Sequence, residues 1–456
     1  MIARIPGVLS WLAGGALGLL AVEPGPLPEG AVVENWPHFL GPYCNATTRE
    51  TPLLKQWPAA GLSIVWEAER GEGYACPVMA DGRLFNFHRV DGKETVECRE
   101  PETGKVLWKY SYAVAYQDRY GFSAGPRSSA VVDEGRVYVA GVTAQMHCLS
   151  ADKGELLWQR DLEKDYAVPQ NFFGYGPTPV VFQDRVIVNV GGKGADSGSG
   201  VCVAAFDKKT GKTLWEVVDR WGASYASPVV ATIRGKACAL VLAAGESKPP
   251  HGGLLTIDVA TGEVYDRFPW RANKYESVLA SSPLAIDGNH VFISECYELG
   301  GVLLEFDEER KSRPVWKQRE FGMHFMMPVV KDGHLYGFAG RNPPDTEFKC
   351  VNLATGEVVW TKDYRWDEKG QVEGLFRASL LQAGKRYFAL GEDGIFVELE
   401  LSPEGSRVVQ RTRLFTAREA WTLPSLHRGL LYVVQNNPDV LLGKKPRMIC
   451  YDLRGK

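Results

Sequence analysis

A strand–turn–strand unit that closes on tryptophan returns along this chain, and its period limits the possible fold more than any other feature. The clearest copy reads Pro77-Val-Met-Ala-Asp-Gly-Arg-Leu-Phe85, followed by Glu102-Thr-Gly-Lys-Val-Leu-Trp108. It returns as Ala130-Val-Val-Asp-Glu-Gly-Arg-Val-Tyr138 with Asp152-Lys-Gly-Glu-Leu-Leu-Trp158, and as Pro179-Val-Val-Phe-Gln-Asp-Arg-Val-Ile187 with Lys209-Thr-Gly-Lys-Thr-Leu-Trp215. Later copies are looser. Ala260-Thr-Gly-Glu-Val-Tyr-Asp266 puts an aspartate where tryptophan is due, Val315-Trp316 follows a charged turn, and Ala354-Thr-Gly-Glu-Val-Val-Trp360 restores the pattern. The seventh copy, from Ala378, carries Val409 in that register, and the eighth runs from Pro424 to Ile449-Cys-Tyr-Asp452.

From Trp66 to Trp360 the register advances six times over 294 residues, a mean of 49. That length suits a four-stranded blade and exceeds leucine-rich or ankyrin periods. Each copy is strand-rich with Gly, Asp and Asn at its turns. A single blade cannot bury both faces, so blades must stack around an axis. The eighth copy lacks a fourth strand, whereas Ser63-Ile-Val-Trp66 stands before the first copy without partners. The expected fold is therefore all-β: one eight-bladed β-propeller over residues 61–456, closed by that N-terminal strand completing the last blade. Closure also hides sheet edges. Trp66, Trp108, Trp158, Trp215, Trp316 and Trp360 then read as fillers that dock each blade on its neighbour.

Nine cysteines leave at least one thiol unpaired. Cys98, Cys148 and Cys350 share one position relative to the Thr-Gly-type turn, and Cys450 stands one residue out of it. A small apolar side chain per repeat is what a buried strand needs, so packing explains them. No Cys-x-x-Cys and no zinc spacing is present, and no metal is expected.

Residues 1–23 read as an export signal. Arg4 precedes an uncharged, mostly apolar run, Val8 to Val22, which is short for a bilayer and is followed by Pro24 and Pro26. An uncleaved anchor is the alternative. Residues 24–60 follow as an extended leader. A net charge of −3 and the lack of a polybasic run exclude a nucleic-acid or lipid-headgroup footprint. An exported, monomeric chain of the periplasm or cell envelope, without a stable membrane span, is the expectation.

Literal motif matches carry little chemistry. Gly121-Phe-Ser123-Ala-Gly125 matches a nucleophile elbow, but Pro126 and a repeat strand follow where a helix is required. The glycine-rich run Gly191 to Gly200 fits neither dinucleotide nor Walker spacing and joins two strands. His334 sits in a repeat turn, and Asp207, Asp258 and Asp307 share a turn-capping register. No catalytic residue is assigned. The informative positions lie just before each innermost strand, where a propeller's central channel opens: Tyr74, Arg127, Tyr175, Tyr225, Glu276, His324, Arg377 and Trp421. Aromatic and polar groups converging on a concavity make a ligand funnel.

The repeat, together with the leader Asn35-Trp-Pro-His-Phe-Leu-Gly-Pro42 and the segments Gly121–Arg127, Tyr175-Gly-Pro-Thr-Pro179 and Phe268-Pro-Trp-Arg271, resembles the PQQ-like β-propeller repeat family of exported bacterial proteins. That resemblance covers nearly the whole chain after the leader. It implies kinship with quinone-dependent alcohol dehydrogenases and with BamB-type scaffolds of outer-membrane assembly. The sequence departs from the dehydrogenases: it has no adjacent cysteine pair, no Cys-x-x-Cys-His for haem, and no matching calcium or catalytic set. The expected function is a binding or scaffold propeller with no cofactor, its partner a protein, a small molecule or a glycan, and no nucleic acid. A quinone-dependent alcohol or sugar dehydrogenase using PQQ with calcium is one alternative. A carbohydrate-binding propeller is another, because aromatic rings stack well on sugar faces.

Overall fold

A computed structural model describes residues 23–192, 200–245, 251–368 and 371–455. The Val8–Val22 run, and most of the Gly191–Gly200 loop, lie outside the described residues. Eight four-stranded antiparallel sheets follow one another along the chain, and the one described α-helix, Leu162–Tyr166, has a single turn or so. The innermost strands start with Val78–Ala80 and continue through Val131–Asp133, Val180–Phe182, Val229–Ile233, Leu284–Ala285, Val329–Lys331, Ser379–Ala383 and Ser425–His427. The ring closes as the sequence predicts: Ile64–Glu69 pairs antiparallel with Arg447–Asp452 as the outer strand of the last blade, with Trp66 opposite Cys450.

The tryptophans seal the seams between blades. Trp66 Nε1 donates to the Pro101 carbonyl at 2.8 Å, and Trp108, Trp158, Trp215, Trp316 and Trp360 donate in turn to Ala151, Lys208, Val259, Leu353 and Ser402. Each acceptor stands three residues before a turn glycine of the next blade. The indole lies so close over that turn that a Cβ on Gly154 would meet the Trp108 ring at 2.4 Å. Glycine is needed there twice over, since its φ is +71°. One device, absent from the sequence reading, aims all these rings. In every blade the outer strand bulges at the residue before the tryptophan register, from Val65 and Leu107 round to Val409. A bulge breaks the alternation of the strand and re-aims the next side chain.

Two seams differ. Asp266, standing where tryptophan is due, instead accepts a hydrogen bond at 3.0 Å from the Ser312 backbone N–H of the next blade. At the seventh blade Gln410, not Val409 as the sequence reading had it, holds the tryptophan register opposite Glu398. Val409 is the exposed bulge residue, and the leader's Trp57 stacks on Phe396 at 5.1 Å, its backbone N–H donating to the Gln410 side chain.

All nine cysteines are free thiols. Cys98, Cys148, Cys350 and Cys450 are each fully buried opposite a docking tryptophan. Cys450 therefore holds the same register as the others, which the sequence reading set one residue off by counting from a C-terminal Arg-Gly. Asp207, Asp258 and Asp307 cap turns, each accepting from two backbone N–H groups within four residues.

The leader folds into the end of the channel opposite the mouth. Trp36, wholly buried, exchanges backbone hydrogen bonds with Met79, and Pro37 accepts from Val132. Glu34 bonds His427, and Thr47–Thr48 adds a parallel strand beside Ser379–Ala383. Four neighbouring inner strands are thus tied to one segment.

Candidate functional site

The loops that enter the inner strands surround a cavity of about 460 Å³. Seven of the eight residues singled out in the sequence line it: Tyr74, Arg127, Tyr225, Glu276, His324, Arg377 and Trp421. Tyr175 does not. Its ring is buried and its hydroxyl donates to the Asn189 carbonyl at 3.1 Å. The register position at that blade is Gly176, where a Cβ would meet the Tyr225 ring at 2.6 Å. Glycine lets Tyr225 lean across, and the residue before it turns into the core.

Trp421 is the hub of the wall. Tyr74 lies against it at 5.5 Å and 29°, Phe325 at 5.3 Å, Phe122 at 5.8 Å, and the Arg377 guanidinium stands 4.6 Å from its ring. The buried Glu392 sets this hub, accepting from Trp421 Nε1 at 2.7 Å and from Arg377 Nε at 2.8 Å. Arg127 is held the same way by buried Asp118 at 2.7 Å, and lies 5.7 Å from the Tyr74 ring. At the rim Arg341 pairs with Glu276 at 3.1 Å. Each arginine of the wall therefore faces a carboxylate.

His324 stacks on Phe325 at 4.0 Å and meets the Tyr297 hydroxyl at 3.2 Å. Burial, with the nearby charges of Arg377 and Arg341, pushes its pKa down to about 3, so the ring is neutral at physiological pH. Tyr74 shifts upward through burial and the Glu419 carboxylate it bonds. Burial likewise pushes the Cys76 thiol, another wall residue, up to about 12, which keeps it from acting as a thiolate. Ser123 sits in a loop beside Tyr74, and its hydroxyl has no hydrogen-bond partner among the described residues. No base activates it.

A second layer was not legible in the sequence. Cys76 N–H donates to Ser129 Oγ at 2.8 Å, Ser129 N–H to Thr178 Oγ1 at 3.0 Å, and Thr178 N–H to Ser227 Oγ at 2.9 Å. These hydroxyls join adjacent inner strands and line the cavity. Their repeat position was visible, one residue before the proline register, but its purpose was not. Phe39 of the leader, Phe122, Phe173, Phe325 and Arg341 were also missed. Phe39 and Phe122 lay within segments already noted, and Phe325 holds the register of Tyr74 and Trp421, one residue after the His324 that was singled out. Phe173 and Arg341 stand in loops that share no period.

Eight four-stranded blades sealed by tryptophans and opening on one funnel define a PQQ-like propeller. The family model described as outer membrane protein assembly factor BamB matches residues 92–362, and the chain belongs to that family. The chain is similar to 1-butanol dehydrogenase (cytochrome c) of Thauera butanivorans, 27% identical over 172 residues, 36% of this chain and 24% of the relative. It is similar also to quinohemoprotein alcohol dehydrogenase of Comamonas testosteroni, 24% identical over 244 residues, 47% and 32% of the two chains. It thus aligns with only a quarter to a third of each curated relative. Among solved structures, the Comamonas testosteroni enzyme superposes with a TM-score of 0.65 at 13% identity, over 92% of this chain and 81% of that one. BamB from Moraxella catarrhalis superposes with a TM-score of 0.55 at 13% identity, over 86% and 97%. These likenesses show the fold.

The mouth does not supply the ligands of a calcium-held quinone. Asp118, Glu276 and Glu392 are each committed to an arginine. Among the described residues no group of three His, Cys, Asp or Glu side chains is placed to hold a metal ion.

Proposed function

We propose that this chain is a non-catalytic, ligand-binding propeller that works through the mouth of its channel after export to the periplasm or cell envelope. The cavity carries this reading: aromatic faces converge with oriented polar groups in a concavity of small-molecule size, about 460 Å³. Binding is supported over catalysis because the wall's arginines are neutralised, its thiol and histidine are held uncharged, and Ser123 lacks a base. The Val8–Val22 run after Arg4 supports export.

The printed names of the relatives set the competing reading, a quinone-dependent alcohol dehydrogenase. One experiment separates the two. The purified chain is incubated with a small-molecule panel, and separately with PQQ and calcium, and followed by thermal shift, absorbance and dye reduction with alcohols. A thermal shift from a panel member without dye reduction supports a binding propeller. Stoichiometric, calcium-dependent quinone uptake with alcohol oxidation overturns it.

A further inference from the structure

We infer that the ligand of this mouth is an uncharged saccharide, read by its hydroxyl edge on the funnel floor and by its C–H faces on the wall. The inference rests on the binding reading above and gives it a ligand class.

The floor carries the first argument. Ser129, Thr178 and Ser227 are each at least nine-tenths buried, and each oxygen already accepts a backbone N–H from the preceding blade. Among the described residues none of the three hydroxyl hydrogens has an acceptor. A buried donor without an acceptor is costly. Three such donors, one per blade, make an arc that asks for ligand oxygens along one edge.

Charge carries the second. Arg127, Arg341 and Arg377 are matched by Asp118, Glu276 and Glu392 at 2.7, 3.1 and 2.8 Å. An ionic ligand entering this wall would lose its hydration and find no uncommitted counter-charge. A neutral ligand avoids that cost, and its own hydroxyl hydrogens find acceptors in the carboxylate of Glu276 and the carboxamide of Asn342, both at the cavity wall.

Ring geometry carries the third. Several contacting wall rings are tilted, Phe122 to Trp421 by 52°, Phe173 to Tyr225 by 57° and Phe325 to Trp421 by 43°, while the two stacked pairs, Tyr74 on Trp421 and His324 on Phe325, turn their faces on each other. Trp421, the largest ring, is already covered by Arg377 and Tyr74. Tilted faces offer many C–H contacts to a puckered ring but no broad plate for a flat conjugated one.

Calorimetric titration of the whole chain tests this with maltotetraose, cellotetraose and tetra-N-acetylchitotetraose against tetragalacturonate, at low and high salt. The expected result is binding of a neutral tetrasaccharide with an affinity unchanged by salt. Thr178→Val should weaken it at least tenfold, with recovery in Thr178→Ser. If the valine variant melts early, Asn342→Ala, at an exposed position, is read instead and should weaken binding several-fold. Binding of the uronate alone, weakened by salt, overturns the inference. So does silence from all four sugars while another panel molecule shifts the melt, an outcome that leaves the binding reading standing. Silence from sugars and panel alike brings down both.

Discussion

At the outer rim, one position holds tryptophan in Trp66, Trp108, Trp158, Trp215, Trp316 and Trp360, and each makes the same hydrogen bond to the next blade. Towards the mouth, the position three residues before the proline register holds Tyr74, Arg127, Gly176, Tyr225, Ala280, Phe325, Leu375 and Trp421. The backbone repeats equally well in both places. What differs is the task. Six of the eight seams ask for the same shape, whereas the mouth has no mirror partner and its blades contribute seven different residue types at this position. Uniformity within one chain therefore marks packing here, and divergence at an equivalent position is what the proposed recognition surface requires.

The largest effect that can break this contrast lies at the rim. Trp158→Ala removes a buried seam filler and should cost about 3–5 kcal/mol of stability, seen as a lowered urea midpoint. Acid is next. His88, His147 and His427 are buried, and burial pushes the His147 pKa down to about 4 and lowers the other two. The unfolded histidines take up protons below about pH 6.5 while the folded ones resist, so stability is full above that pH and falls as pH drops towards 4. His147 alone should account for about 3 kcal/mol by pH 4. Urea midpoints between pH 7 and 4.5 should slope less steeply in His147→Phe.

Smaller steps sharpen the contrast. Gly154→Ala would press a Cβ to 2.4 Å from the Trp108 ring and should cost about 2–3 kcal/mol, whereas Gly135→Ala, with the same φ of +71° but open space, should cost about 1 kcal/mol. Thermal melts of the two separate docking from backbone strain. Asp266→Ala should cost about 1–2 kcal/mol by stranding the Ser312 N–H. Phe122→Ala, at the exposed rim of the mouth, should cost less than about 1 kcal/mol and yet weaken ligand binding tenfold or more.

The fold was legible because its cause is periodic. Trp108, Trp158 and Trp215 after Thr-Gly-type turns announce blades, and the orphan Ser63–Trp66 strand announces closure. Legibility stopped where the chain uses a single, unrepeated contact. Nothing local in Asn35–Pro42 says that Trp36 caps the channel floor, nor in Val409 that Trp57 from the leader packs on that blade. The bulge before each tryptophan changes backbone pairing without any residue signature of its own. At the mouth, position was legible and orientation was not: Tyr175 and Gly176 differ by one residue, and one faces the core while the other admits Tyr225.

The most direct test of this division measures Trp158→Ala and Phe122→Ala side by side, by urea unfolding and by titration with the neutral tetrasaccharide that binds the parent chain. The rim variant is predicted to unfold several kcal/mol earlier with its affinity intact, and the mouth variant to unfold like the parent with its affinity lost. Equal losses of stability in both, with binding untouched by Phe122→Ala, would contradict the account.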